Sequence, residues 1–221
     1  MEKWVRIMLK VWGRRTSVNV QKVMWAVAEL GIAHERIDAG GPFGKTDTPE
    51  YGALNPNRLV PVIDDNGFTL WESSAVVRYI ANAYGRGTLA PVDTQQFAKA
   101  DQWMDWMQTT IYPDIIGGVF GSLVRVAAAN RDTAAVEAAA KRAGEKLAIL
   151  DAQLAGKAFI LGDQLSMADI AVGAVLYRYN TMPIARPALP NVEAYYQRLS
   201  ARKPYQDHVM IDWTSMKIPG A

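Results

Sequence analysis

The 221-residue sequence contains no cysteine. This absence excludes disulfide bonds, a cysteine nucleophile, thiolate metal sites and CxxC redox chemistry. It is also typical of proteins from a reducing compartment. Histidine is nearly as scarce, with only His34 and His208. We therefore expect no metal centre built on histidine and no Ser/His/Asp arrangement for hydrolysis.

A marked excess of charge of either sign is missing as well. The 24 basic and 22 acidic residues give a formal net charge of +2, so we expect neither nucleic acid nor an anionic membrane as a partner. No stretch approaches the ~20 uninterrupted apolar residues of a membrane span. The opening MEKWVRIMLKVWG has no apolar core or cleavage site of a secretory signal. These features favour a cytoplasmic protein, and a 50% hydrophobic composition provides for a substantial core.

The first 85 or so residues have the pattern of a small α/β domain. Residues 5–11 predict a strand, residues 17–30 a helix that Gly31 ends, and residues 34–38 a second strand. Strand, helix and strand in this order form a βαβ unit with a parallel pair. Residues 39–57 are rich in glycine and proline, which indicates a loop with at most a turn or two of helix.

A hairpin and a helix complete this first half. Asn66-Gly67 separates two apolar runs, residues 60–63 and 68–71, which predicts two antiparallel strands. A helix over residues 74–84 follows, and residues 84–93 are the expected linker. Beyond them the pattern is helical with almost no strand signal, and the four predicted helices cover residues 95–111, 133–154, 167–179 and 192–199.

Three segments of the first half carry candidate binding chemistry. Pro61 begins a predicted strand, so either this strand lies at an edge or a cis Val60–Pro61 bond turns the Val60 N–H and C=O toward a ligand backbone. Ser73 is a good N-cap, and a helix N-terminus beside Glu72 also suits the carboxylate and ammonium of an amino-acid ligand. Ser17 either caps the first helix or holds an anion against its hydroxyl, with Arg14 and Arg15 nearby.

Together these segments resemble those of the cytosolic glutathione S-transferases. The most specific motifs are NPNRLVPVIDDNGFTLWESSAVVRYI, residues 55–80, and LSMADIAVG, residues 165–173. The spacing Ser17-x-Asn19-x-x-Lys22-Val23 is similar to the serine-type first-helix motif of bacterial members and of the plant phi and theta classes. The resemblance implies a thioredoxin-like α/β domain over residues 4–86, followed by an all-α domain over residues 93–210 that contributes the electrophile pocket.

The resemblance also implies roles for individual residues. Ser17 matches the residue that hydrogen-bonds the glutathione sulfur, and Val60, before Pro61, matches the one that pairs with the cysteinyl backbone. Glu72 and Ser73 match the residues that hold the γ-glutamyl end. Two positions depart from the family pattern. Arg58 stands where the NPxG turn usually has glycine, which predicts either a different loop or a role in binding, and Lys45 is the candidate for the glycyl carboxylate. Ser166 and Asp169 match the family's capping box, a structural role.

The electrophile pocket is less sharply defined by the sequence. Trp103, Trp106, Met107, Thr110 and Ile111 recur at the spacing of one helical face, which is typical of a core or of a dimer interface. Part of that face is also a candidate for an apolar pocket, and the pocket candidates are Trp12, Met107, Ile111 and Trp213.

The resemblance implies that glutathione is a co-substrate which is conjugated to small apolar electrophiles, without a metal, by a homodimer. A glutathione-dependent peroxidase is one alternative. A non-catalytic protein of the same fold, which binds glutathione, another ligand or a partner, is the other.

Overall fold

The computed structural model describes residues 8–221. Its first half contains a four-stranded sheet in the order β2-β1-β3-β4, with β1 and β2 parallel and the other neighbours antiparallel. The strands are β1 (Leu9–Trp12), β2 (His34–Ile37), β3 (Val62–Asp65) and β4 (Phe68–Trp71). The predicted βαβ unit and hairpin are thus confirmed, and residues 5–7 of the predicted first strand lie outside the described residues.

The register of the sheet brings the candidate segments to one end. Trp12 pairs with Ile37 and with Val62, and Val62 pairs with Trp71. The chain therefore leaves β1 and β4, and enters β3, at the same end of the sheet. Ser17 follows β1, Val60 precedes β3 and Glu72 follows β4, so all three segments converge there.

Helices cover both faces of this sheet. The helices α1 (Val18–Glu29) and α3 (Ser73–Tyr84) pack on one face, where Val11 and Ile63 belong to the main core. The short α2 (Pro49–Leu54) belongs to the other face, where a second cluster forms around Ala39, Tyr51 and Val62. Because successive strand residues point to opposite faces, Trp12 packs into this second cluster and not with Val11.

The second half is helical, as predicted, with one difference in its longest helix. The helix α4 (Thr94–Trp106) does not end near residue 111 but continues through wide π-helical turns, Met107–Ile111 and Pro113–Phe120, into α5 (Gly121–Arg125). The predicted end was wrong because the helix continues past Pro113. This residue cannot donate a backbone hydrogen bond, and the wider π-helical turns accommodate it. The remaining helices are α6 (Thr133–Gln153), α7 (Met167–Thr181), α8 (Pro190–Ser200) and the unpredicted α9 (Lys203–His208).

Asp169 joins several segments of the helical half through hydrogen bonds. Its carboxylate is fully buried and accepts hydrogen bonds from the N–H groups of Ser166 (2.8 Å) and Ile160 (2.9 Å) and from the hydroxyl of Tyr195 (2.9 Å). The Ser166 hydroxyl is a fourth donor, at 2.9 Å. Burial nevertheless raises the pKa of Asp169. The capping role predicted for this pair is confirmed, and the additional donors tie the loop before α7 and helix α8 to the same carboxylate.

The helix α1 is the element that joins the two halves. Glu29, near its end, receives a bidentate pair of hydrogen bonds from the Arg202 guanidinium at 2.8 and 2.6 Å. The buried Trp25 ring lies against Gly173 of α7, where a Cβ atom would come within 2.9 Å of the ring. Since an alanine there would clash with the ring, this glycine sets how closely α1 approaches α7.

Lys22 is a residue of α1 whose charged side chain is buried in the core. It is fully buried, and its Nζ has no hydrogen-bond partner within the part of the chain that the structure describes. The Nζ lies 5.7 Å from the centroid of the Tyr112 ring. Burial lowers the pKa of Lys22 to about 7, with Glu72 opposing the effect and Arg78 adding to it. The ammonium form is therefore disfavoured in the folded protein.

Lys22→Met should stabilise the protein at neutral and acidic pH. An unfolded lysine holds its proton up to a pKa of about 10.4, so the cost of the buried charge is complete below pH 7 and disappears as the pH rises toward that value. We expect the variant to gain about 2 to 5 kcal/mol in free energy of unfolding at pH 6, and progressively less toward pH 10. Denaturant unfolding at three pH values measures this difference. Lys99→Met, at an exposed position on α4, is the matched control, and a destabilised Lys22→Met at pH 6 would contradict the interpretation.

Candidate active site

A cleft of about 360 Å³ lies where the convergent end of the sheet meets the helical half. The sheet half contributes the segment that leads into α1, the loop after β2 and the residues before β3. The helical half contributes the π-helical turns, the end of α5, and α7. The lining residues are Arg14, Thr16, Ser17, Val18, Asn19, Gly40, Gly41, Thr46, Arg58, Leu59 and Val60 from the first half, and Tyr112, Ile116, Phe120, Arg125, Arg178 and Met216 from the second.

Ser17 occupies the N-cap position of α1 without capping it through its side chain. Its carbonyl accepts the N–H of Gln21 at 2.9 Å, as the first bond of the helix, but its hydroxyl makes no capping hydrogen bond. Within residues 8–221 this hydroxyl has no hydrogen-bond partner of any kind. The side chain is 9% exposed and lines the cleft. The structure therefore leaves a largely buried donor free at the positive end of a helix.

Val60 presents backbone groups to the same cleft. The Val60–Pro61 peptide is cis, as the sequence suggested as one of two possibilities. Neither the N–H nor the C=O of Val60 has a hydrogen-bond partner among the described residues. Because buried or half-buried backbone groups are nearly always paired, these two groups are suited to an extended ligand backbone.

Arg58 stands where glycine was expected, and its backbone takes the conformation that glycine favours. Its φ of 55° lies in the left-handed region, so the turn is retained at some conformational cost. The guanidinium donates to the carbonyls of Thr48 at 2.9 Å and Thr46 at 3.3 Å, which ties down the loop that precedes α2. Arg58 thus lines the cleft while holding this loop. Lys45, in contrast, is exposed and does not line the cleft.

Glu72 and Ser73 lie at the same end of the sheet but outside the cleft lining. The N-cap of α3 is Glu72, and Ser73 is the first helical residue, so the predicted capping role of Ser73 was wrong by one position. Glu72 has a φ of 69°, an uncommon conformation for a residue with a side chain, and its side chain is exposed. Such backbone strain concentrates at functional sites.

The four candidates for the electrophile pocket do not line this cleft. Met107 and Ile111 are fully buried in the main core, and Trp12 packs under α2. Trp213 lies behind the cleft, with its ring centroid 5.6 Å from that of Phe120 and its Nε1 donating to Thr181 at 2.9 Å. The helical spacing therefore identified a core face, which was one of the alternatives.

The residues that do form the helical wall were missed by the sequence prediction. Tyr112, Ile116 and Phe120 recur every four residues through the π-helical turns, beyond the predicted helix end. Arg178 comes from α7, where it is the one charged residue between Ile170 and Thr181. A lone cation in an otherwise apolar helical segment is the signal that would have identified it.

Arginine side chains give the cleft its positive charge. Burial lowers the pKa of Arg178 to about 10, with opposing contributions from Tyr177 and Tyr112. Burial also lowers the pKa of Arg14, and the positive charge of Arg125 adds to that effect. Both guanidinium groups remain protonated at neutral pH. The cleft is therefore suited to an anion.

No helix between residues 8 and 221 has the length and apolar character needed to cross a membrane. Within the same range, no three or more histidine, aspartate or glutamate side chains come together as a metal site would need.

Comparison with protein-family models places both halves of the chain. Residues 8–82 match the model "Glutathione S-transferase, N-terminal domain", and residues 133–198 match "Glutathione S-transferase, C-terminal domain". Among characterised relatives, Glutathione S-transferase GstB of Escherichia coli strain K12 is 36% identical over 92% of this chain and 99% of its own. Glutathione S-transferase 3 of Zea mays is 31% identical over 91% of this chain and 93% of its own.

Solved structures show the same similarity. The theta class glutathione S-transferase of Xanthomonas axonopodis pv. citri, with glutathione bound, superposes with a TM-score of 0.86 at 42% identity, over 94% of this chain and 99% of that one. The fold is thus a thioredoxin-like domain followed by an all-α domain. With both family models matched and a relative 36% identical along nearly its whole length, the chain belongs to the glutathione S-transferase family.

Proposed function

We propose that the protein conjugates glutathione to small electrophiles and that the Ser17 hydroxyl, acting as in the serine-type members of the family, donates a hydrogen bond to the glutathione thiolate. The observation that carries this proposal is the hydroxyl of Ser17, which lines a cationic cleft and has no hydrogen-bond partner among residues 8–221. The glutathione that is bound to the Xanthomonas relative supports the same ligand here.

The free energy required for this activation is modest. A free thiol has a pKa of about 8.5, so only a few per cent is ionised at neutral pH. Lowering that pKa by about two units requires roughly 2.7 kcal/mol of preference for the anion. One hydrogen bond to a charged sulfur contributes roughly 1.5 to 3 kcal/mol, and the N-terminus of α1 adds about 0.3 to 1 kcal/mol. No general base is needed.

The remaining contacts orient the tripeptide along the end of the sheet. We propose that the Val60 N–H and C=O pair with the cysteinyl backbone, since neither group has a hydrogen-bond partner from residue 8 onward. Glu72 then holds the γ-glutamyl ammonium, and the first N–H groups of α3, beginning at Ser73, hold the γ-glutamyl carboxylate. We propose that Arg58, which lines the cleft, holds the glycyl carboxylate instead of the exposed Lys45.

Membership of the family also supports a homodimer that works in the cytoplasm. Light scattering of the purified protein tests the dimer, for which the expected mass is twice that of the 24.4 kDa chain. A mass of one chain at micromolar concentration would exclude a stable dimer.

Ser17→Ala should lower turnover with chlorodinitrobenzene by about 10- to 1000-fold, equivalent to roughly 1.4 to 4 kcal/mol. The dissociation constant for glutathione should change little, because the hydroxyl stabilises the ionised sulfur and contributes little to the rest of the ligand. Steady-state kinetics measure the first quantity and titration calorimetry the second.

Ser200→Ala, a serine substitution in α8 at a residue that does not line the cleft, serves as the control and should leave both quantities unchanged. Glutathione binding without turnover in the natural protein would favour a non-catalytic binding protein. Turnover that Ser17→Ala leaves intact would reject the role of the hydroxyl while leaving the transferase activity in place.

A further inference from the structure

Among the described residues, the cleft lining includes four arginines and no acidic residue. Arg14, Arg58, Arg125 and Arg178 all line it. None of the four forms a salt bridge within the chain from residue 8 onward, although other arginines such as Arg36, Arg78 and Arg202 do. Positive charge that is concentrated in a cleft and not neutralised by acidic side chains attracts anionic ligands.

Arg178 is a buried arginine whose guanidinium is only partly hydrogen-bonded. It is 1% exposed, and its Nη2 donates to the Thr16 carbonyl at 2.6 Å. Its Nε and Nη1 are buried without a hydrogen-bond partner among the described residues. The guanidinium carbon lies 4.4 Å from the centroid of the Phe120 ring, which offers a cation–π contact but no acceptor. Buried charges are normally paired, so this arrangement is costly until an anion enters the cleft.

Arg125 is the accessible counterpart of Arg178. It is exposed at the end of α5, and its charge lowers the pKa of Arg14 across the cleft. Its charge also opposes the rise that burial causes in the pKa of Tyr112. An anion in the cleft relieves this repulsion, so the charge of Arg125 favours a negatively charged ligand.

The four arginines divide between the two walls of the cleft. Arg58 donates to carbonyls of the loop before α2, and the Arg14 guanidinium packs against Gly40 and Gly41, where Cβ atoms would lie within 3.1 and 3.3 Å of it. Both lie on the sheet side, with Val60. Arg125 and Arg178 lie on the helical side, with the apolar and aromatic side chains of Tyr112, Ile116 and Phe120. Ser17 lines the same cleft.

We propose that the electrophile itself is an anion: a carboxylate attached to an apolar or aromatic body, with the carboxylate held by Arg125 and Arg178 and the body lying against Ile116 and Phe120. This inference rests on the proposed conjugation of glutathione. It replaces the expectation of a purely apolar electrophile with one that carries negative charge.

The chemistry remains an ordinary substitution. The glutathione sulfur, as a thiolate, forms a C–S bond to an activated carbon of the electrophile, and a leaving group such as chloride departs with the electron pair of the broken bond. The thiol proton passes to solvent before the attack. The carboxylate is unchanged, so it serves only to bind and orient, and no oxidant or reductant takes part.

A matched pair of substrates tests the proposal directly. 4-Chloro-3,5-dinitrobenzoate and 4-chloro-3,5-dinitrobenzamide have the same reacting carbon and leaving group and differ mainly in charge. We expect kcat/KM, divided by the rate of the uncatalysed reaction with glutathione, to be at least about 10-fold higher for the benzoate, which is about 1.4 kcal/mol. The preference should fall with added salt, because the accessible charge of Arg125 is screened.

Substitution of the arginines locates the effect. Arg125→Gln should reduce the preference about 10-fold through a higher KM for the benzoate, with little change for the benzamide. Arg178→Gln should do the same, but it also removes the bond to Thr16, so the exposed Arg125 is the cleaner position. Arg86→Gln makes the same change of charge at an exposed site outside the cleft and should leave the preference unchanged.

Three outcomes decide between the explanations. Equal use of the two substrates, or equal losses for both in Arg125→Gln, would overturn the proposal and assign the arginines to glutathione. If neither substrate turns over, calorimetric binding of unreactive 3,5-dinitrobenzoate and 3,5-dinitrobenzamide decides it. Selective binding of the benzoate would then support the anion site although the transferase function had failed, and equal or absent binding would reject the anion site as well.

Discussion

The hydrogen bond from Arg178 to the carbonyl of Thr16 connects the cleft to the fold that supports it. Thr16 precedes Ser17, so this bond fixes the entry to α1 from the side of the helical half. Glu29 is fixed in the same way at the other end of α1 by Arg202, and Gly173 leaves space for Trp25 between them. Since α1 is held at both ends and at Trp25 by the second half of the chain, Ser17 has a defined position relative to both walls of the cleft.

Buried charges in this protein differ in how completely they are satisfied. Asp169 accepts four hydrogen bonds and has a structural role, as its position in the capping box requires. Lys22 has no hydrogen-bond partner among residues 8–221, but it does not line the cleft, so its charge is a cost to stability that deprotonation relieves. Arg178 also has unpaired groups, and it does line the cleft. Only in the last case does the missing partner have a route of entry, and this distinguishes a binding residue from a poorly satisfied core residue.

The sequence predicted the order of the elements well because each had a local signal. Gly31 ends α1 and Asn66-Gly67 forms the hairpin, so the sheet and its register followed. The helical wall of the cleft could not be predicted in the same way. Helical spacing counted from Trp103 selects Met107 and Ile111, which face the core, whereas the π-helical turns bring Tyr112, Ile116 and Phe120 to the cleft. Arg58 shows the converse case, in which an unexpected residue keeps an expected turn.

We propose that the Ser17 hydroxyl at the start of α1 keeps the sulfur of glutathione ionised. The most direct measurement is a pH titration of the thiolate absorbance of glutathione bound to the natural protein and to Ser17→Ala. We expect a bound thiol pKa near 6.5 in the natural protein, about two units below the free value of about 8.5. In Ser17→Ala it should return most of the way to that free value. A bound pKa that stays low without the hydroxyl would contradict the claim and assign the activation to the arginines.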